Sequence, residues 1–208
     1  MAGTASPRTA PGEGRTLVCV GGAPGAGKTT VGSLVAHAVG FCLVDLDSVT
    51  TPLVEAFAAS LGDVADLDAP RFVALRDARY ACLAAVASDN LRAGRDVVAV
   101  APFTAESADA SAWRAQGTRW GADRVVLCWL DVDPAESARR AAARGLPRDL
   151  AKRGSVMGAR VEEAAGQGRP ASPDVDRPGV DVVVDGGADP SASCAAILAT
   201  LRAGTMPG

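Results

Sequence analysis

The residues best suited to chemistry stand near the N-terminus, in Gly22-Ala23-Pro24-Gly25-Ala26-Gly27-Lys28-Thr29, followed by Thr30. This run satisfies G-x-x-x-x-G-K-[ST] at every fixed position. An apolar run precedes it and helical spacing follows, the context that gives the pattern its meaning. Gly22, Gly25 and Gly27 let successive backbone N–H groups turn inward around phosphate oxygens. The helix that opens here directs its positive end at the same oxygens. Lys28 supplies a point charge for the β- and γ-phosphates, and the Thr29 hydroxyl is a ligand for Mg²⁺. The chain has lysine only at Lys28 and Lys152, and one of them occupies the required place. The spacing predicts a site for a nucleoside triphosphate with Mg²⁺.

Two more constellations could complete a reaction. Val44-Asp45-Leu46-Asp47-Ser48 ends the second apolar run. In an open parallel sheet the crevice lies at the carboxyl ends of the strands, beside such a loop. A carboxylate there can take the proton of a hydroxyl that attacks the γ-phosphoryl group, or serve the metal. An extended strand end would put Asp45 and Asp47 on one side, with Asp47 the favoured base. Aspartates also cap and solvate strand ends, the plainer reading of the same residues. The second constellation is Arg139-Arg140-Ala-Ala-Ala-Arg144-Gly-Leu-Pro-Arg148-Asp149. Arg140 and Arg144 share a helix face, and Gly145 and Pro147 end that helix, leaving Arg148 on a loop. Guanidinium forks suit phosphate oxygens and charge developing on a transferring phosphoryl group. A solvated basic face would use the same residues.

In the fold implied by the family resemblance given below, an acceptor would meet the helices after strand 2 and the loop after strand 3. The candidates are Arg71, Arg76, Arg79, Tyr80, Phe103, Thr104 and Trp113, for most of which packing or plain surface is the plainer reading. Arg76 and Arg79 are helical neighbours that could hold an anionic group. His37 reads as a packing histidine, and Trp120 and Trp129 as core.

These residues need a scaffold, and the apolar runs supply one. Leu17–Val20, Phe41–Val44, Val97–Ala101, Val125–Leu130 and Val180–Val184 are short and nearly continuous in apolar content. Such runs are strands buried on both faces of a parallel sheet. Helical spacing recurs between them, over Thr29–Val39, Phe72–Leu91, Ala135–Arg144 and Ser191–Leu201. Alternating strands and helices predict an α/β fold. Residues 1–14 read as a disordered start without the apolar core of a signal peptide, and 203–208 as a frayed tail. The Gly/Pro-rich stretch 154–179 reads as a lid with a return loop, or as a linker.

Composition limits the function classes. The 208 residues carry 24 acids against 21 bases, a net charge of −3, and 4% aromatics. Neither a global basic field nor a base-stacking platform follows, which argues against a polynucleotide partner. No apolar run is long enough to cross a bilayer. Cys19, Cys42, Cys82, Cys128 and Cys194 are scattered and odd in number, which predicts a reducing cytoplasm rather than disulfides or a zinc site.

In order along the chain, GGAPGAGKTT, VDLDSVTTPLVEA, DVVAVAPF, VVLCWLDVDPAESARRAAARGLPRD and VDVVVDGG resemble the small P-loop kinases. That group includes chloramphenicol phosphotransferase, zeta-toxin-like kinases, gluconate kinase and polynucleotide 5′-kinase domains. The resemblance covers residue 17 to about 187. It implies a three-layer α/β/α P-loop fold with a five-stranded parallel sheet of order 2-3-1-4-5. One kinase domain would span 15–202, with an arginine-bearing lid at about 145–179. It further implies Asp47 as the base for an acceptor hydroxyl, with Asp45 assisting. Arg140, Arg144 and Arg148 would stand over the ATP phosphates, with Asp185 and Gly186 near the adenine. The expected activity is transfer of the ATP γ-phosphate to a hydroxyl of a small metabolite or natural product, by a cytoplasmic monomer or homodimer. A polynucleotide 5′-hydroxyl kinase and a nucleotide-binding switch without an acceptor are the alternatives. One feature departs from the group: the third strand ends in Ala101-Pro102-Phe103 with no acidic residue. A second Mg²⁺ contact must then come from Asp45, Asp47 or water, and the departure argues against a motor-type ATPase.

Overall fold

Buried apolar strands alternate with helices from the first run onward, as the hydrophobic pattern requires. In the computed structural model the described residues are 14–63, 73–104, 106–144 and 180–203. In chain order the elements are β1 (Thr16–Gly22), α1 (Lys28–Val39), β2 (Cys42–Asp45), α2 (Leu46–Ser60), α3 (Val73–Arg92), β3 (Val97–Val100), a 3₁₀ turn (Glu106–Ala108), α4 (Ala110–Trp120), β4 (Arg124–Asp131), α5 (Pro134–Arg144), β5 (Val182–Asp185) and α6 (Pro190–Ala203). The five strands form one parallel sheet in the order β2-β3-β1-β4-β5, the order the resemblance implied. β1 lies at its centre, with Val18 opposite both Val98 of β3 and Val126 of β4.

Alternate residues of the central strands feed two cores. Leu17 and Cys19 pack with Leu83, Ala87 and Leu91 of α3 and with Trp113 and Trp120 of α4. Val18 and Val20 pack with Val31 and Val35 of α1 and with Ile197 and Leu201 of α6. Helices thus cover both faces, which is why the strands read as unbroken apolar runs. Trp120 and Trp129 are buried, as expected. The cysteines are free, and burial pushes the Cys19, Cys128 and Cys194 thiols up.

Two helices were not legible in the sequence. α2 begins at once after β2, with Asp45 as its N-cap. Its Val49-Thr50-Thr51-Pro52 stretch carries every local mark of a break, yet Leu46, Thr50, Val54 and Ala58 recur at four-residue spacing on its buried face. Tertiary packing overrides propensity there. α4 contains Gly117, where a Cβ would strike the Val125 side chain, so glycine lets the helix settle on β4. A third correction concerns His37. It lies exposed in the last turn of α1, because that helix buries Val31, Gly32, Val35 and Ala36 instead.

Gly22 closes β1 at φ 142, and a Cβ on it would stand 2.6 Å from the Leu130 carbonyl oxygen. Gly22→Ala is expected to cost about 1–3 kcal/mol, read as a lower urea midpoint with unchanged slope.

Candidate active site

The carboxyl ends of β1, β2 and β3 converge on the glycine-rich loop. The loop leaves β1 at Gly22, and its N–H donates to the Pro102 carbonyl at the end of β3 (3.2 Å). Gly25 (φ 83) and Gly27 (φ 86) occupy the left-handed region, which lets the chain fold back into α1 within five residues. Gly27 is the N-cap of α1, and no side chain caps it, so the helix N-terminus opens onto the loop. Lys28 lies across the loop, its Nζ donating to the carbonyls of Gly22 (2.9 Å) and Ala23 (2.7 Å). Thr29 and Thr30 are exposed at the head of the helix.

Asp45 links this loop to α2. Asp45 is buried, 6% exposed. One oxygen accepts the Thr29 hydroxyl (2.8 Å), and the other accepts the N–H groups of Asp47 (2.8 Å) and Ser48 (3.2 Å). Both of its oxygens are therefore engaged. Asp45 and Asp47 do come together, but not by the alternation of an extended strand. The chain turns helical at Leu46, which places Asp47 in the first turn of α2.

Asp47 is half-exposed, and its Oδ1 accepts from the Arg79 guanidinium at 2.5 Å, with side chains 49% and 11% exposed respectively. Arg79 Nε also donates to Thr50 (2.7 Å), whose own hydroxyl donates to the Leu46 carbonyl (2.6 Å). The arginine expected to meet an anionic acceptor therefore orients the carboxylate expected to act as base. Arg76, one turn earlier, is exposed.

The exit of β3 is shaped by aromatic packing. Phe103 is the one non-glycine residue with positive φ (48°) among the described residues. Its ring is fully buried, edge-to-face with Tyr80 (6.2 Å) and Trp113 (5.2 Å), and its N–H donates to the Tyr80 hydroxyl (3.2 Å). Burial pushes the Tyr80 phenol up. The side chains of Phe103 and Trp113 thus belong to the core, a correction to their reading as acceptor contacts. A ring that leaves a strand end inward cannot also line the cleft. Thr104, the next residue, is exposed.

On the other side, Arg140 is held against backbone. Its guanidinium donates to the carbonyls of Gly186 (2.7 Å) and Gly187 (3.3 Å), and its Nε donates to Glu136 (2.6 Å). Gly186 is buried: its N–H donates to the Asp131 carbonyl (2.6 Å), and a Cβ on it would stand 2.9 Å from the Ala26 carbonyl oxygen. Asp185 accepts the Gly187 N–H at 2.6 Å. Arg140 and Gly186 therefore meet beside the glycine-rich loop, 46 residues apart in sequence. Arg144 ends α5, and its side chain lies outside the described residues, as do Arg71, Arg148, the lid expected at 145–179 and nearly all of both terminal segments.

Sequence reasoning passed over Ser137, whose hydroxyl donates to the Pro24 carbonyl of the loop. A serine in an alanine-rich helix gave no signal by which to find it.

A family model described as "AAA domain" (AAA_33) matches residues 17–165. Solved structures share the fold. A Chloroflexus aurantiacus protein superposes with a TM-score of 0.62 at 18% identity, covering 93% of this chain and all of that one. The Mycobacterium tuberculosis APS kinase, in complex with AMPPNP and APS, gives 0.57 at 20% identity, covering 91% and 98%. The Acinetobacter baumannii shikimate kinase, in complex with shikimate, gives 0.53 at 14% identity, covering 97% and 100%. No curated protein sequence matches the chain.

Proposed function

This chain belongs to the AAA domain family, and from that premise we propose that it is an ATP-dependent phosphotransferase acting on a hydroxyl of a small molecule. The observation that carries the reading is the chain of contacts Thr29–Asp45–Asp47–Arg79, which joins the phosphate-binding loop to a half-exposed carboxylate. Phosphoryl transfer to an alcohol calls for a carboxylate beside the phosphate loop, because the attacking hydroxyl must shed its proton.

The donor set fits Mg²⁺. Among the described residues no group of three or more His, Cys, Asp or Glu forms a cage. Mg²⁺ bound to a nucleotide asks for little more than a hydroxyl, nearby carboxylates and water. Thr29 would hold it, with its hydroxyl proton already committed to Asp45 and its lone pairs left for the metal. Bound there, the ion would neutralise charge on the β- and γ-phosphates.

The protein's own residues do the rest. Backbone N–H groups of Gly25, Gly27, Lys28 and Thr29 and the Lys28 ammonium hold the phosphates, so the γ-phosphoryl group faces the ends of β2 and β3. Asp47, held by Arg79, accepts the acceptor's proton as the new P–O bond forms and the bond to ADP breaks. Tyr80 and Phe103 hold the β3 exit, and with it Thr104, at the edge of the acceptor's space. Arg140 braces the Gly186–Gly187 turn, beside which the adenine would lie.

Asp45 serves two elements at once, and two variants separate them. Asp45→Ala should lower stability by about 1 kcal/mol through loss of the α2 cap, and should also weaken the Mg²⁺-dependent part of ATP affinity. Asp45→Asn keeps a capping oxygen, so it should lose only the Mg²⁺-dependent part. Urea unfolding and ATP titrations with and without Mg²⁺ read the two effects.

The function is tested by ³¹P NMR of the protein with Mg-ATP and pooled nucleosides, sugars, hydroxy acids and aminoglycoside or phenicol antibiotics. A new phosphomonoester resonance, absent with Asp47→Asn, is the expected result. ADP and phosphate alone, formed equally by Asp47→Asn, would favour a nucleotide switch. Salt-sensitive labelling of oligonucleotide 5′ ends would instead favour a polynucleotide kinase.

A further inference from the structure

The loop that cradles the phosphates does not stand on its own backbone. Its apex, Pro24 to Ala26, rests on α5 and on the segment after β5. The Ser137 hydroxyl donates to the Pro24 carbonyl across 113 residues of sequence. A Cβ on Gly25 would stand 2.7 Å from the Ser137 carbonyl oxygen, so the two backbones are in direct contact. Ser137 is itself fixed, its N–H donating to the carbonyl of Asp133, the residue just ahead of α5 (2.8 Å). One turn on, Arg140 ties the same helix to Gly186 and Gly187.

We infer that Ser137 is a positioning residue for nucleotide binding: it sets the orientation of the Pro24–Gly25 peptide, and with it the direction of the Gly25 N–H. A trans peptide is planar, with its C=O and N–H pointing opposite ways. Ser137 draws the Pro24 carbonyl toward α5, so the Gly25 N–H turns away from α5 and into the concave side of the loop. Gly25 at φ 83 has no Cβ to resist rotation of that peptide. Without an external hold the peptide can flip, and a carbonyl would then face the phosphates where a donor is needed. A nest lined by a carbonyl repels an anion.

The inference rests on the nucleotide-binding reading of the loop and deepens it. The test is titration of wild type, Lys28→Ala and Ser137→Ala with Mg-ADP and with pyrophosphate, together with thermal midpoints. Ser137→Ala removes one half-exposed hydroxyl, so its midpoint should match wild type within about 2 °C, while affinity for both ligands falls by the same factor, about five- to tenfold, the worth of one hydrogen bond. Equal loss for both ligands is the signature of the phosphate loop, since pyrophosphate has no base. Wild-type affinity in Ser137→Ala, with Lys28→Ala defective, overturns this inference and leaves the nucleotide reading standing. A loss for ADP without one for pyrophosphate also overturns it, because the effect would then lie on the base side, through Arg140 and Gly186. A lowered midpoint with unchanged affinities makes Ser137 structural. No binding by wild type overturns both readings.

Discussion

Lys28→Ala is expected to weaken nucleotide binding and slow phosphoryl transfer together. The ammonium is the one lysine in the glycine-rich loop, and its Nζ already lies on the Gly22 and Ala23 carbonyls, at the place where β- and γ-phosphates are held. Its charge holds the bound phosphates and meets still more charge as the γ-phosphoryl group transfers, so affinity and turnover should both fall. The expected loss of Mg-ATP affinity is about a hundredfold, the scale of one well-placed charge against a polyphosphate. The fold should survive, because Lys28 is partly exposed at the head of α1 and lies outside both hydrophobic cores. Calorimetric titration with Mg-ATP and a thermal melt are the two readings. An unchanged affinity would mean that nucleotide does not bind here.

Asp47→Asn should separate what Lys28→Ala removes together. The carboxylate stands in the first turn of α2 and accepts from Arg79. Asn keeps the shape and the acceptor for Arg79 and loses the basicity. Affinity for Mg-ATP should stay within about threefold of wild type, while turnover with an acceptor should fall by about 10²–10⁴. Single-turnover transfer, compared with the binding titration, reads the split. Equal loss of binding in the two variants would make Asp47 a metal ligand instead of a base. Arg79→Ala is a companion: it should lower turnover less than Asp47→Asn, since it frees the carboxylate without removing it.

Much of this was open to a reader of the sequence. The glycine-rich loop was legible because its function is local. Eight consecutive residues carry the turns, the charge and the hydroxyl, and their spacing along the chain is their spacing in space. The sheet was legible for a similar reason, since strands buried on both faces must be apolar throughout. Its order was implied only by the resemblance to the small P-loop kinases, and the structure has that order.

What the sequence could not show are the partners. Arg79 reads equally well as an anion site until Asp47 is found beside it, 32 residues away. Phe103 follows a strand that ends at the cleft, and only its left-handed turn sends the ring into the core. Arg140 was expected over the phosphates and is found on the carbonyls of Gly186 and Gly187. Ser137 carried no signal at all. A side chain's chemistry is written in its type, but which group it serves depends on the elements the fold lays beside it. For α2 even the element was decided that way, when burial of Leu46, Thr50, Val54 and Ala58 outweighed a local sequence that favours a break.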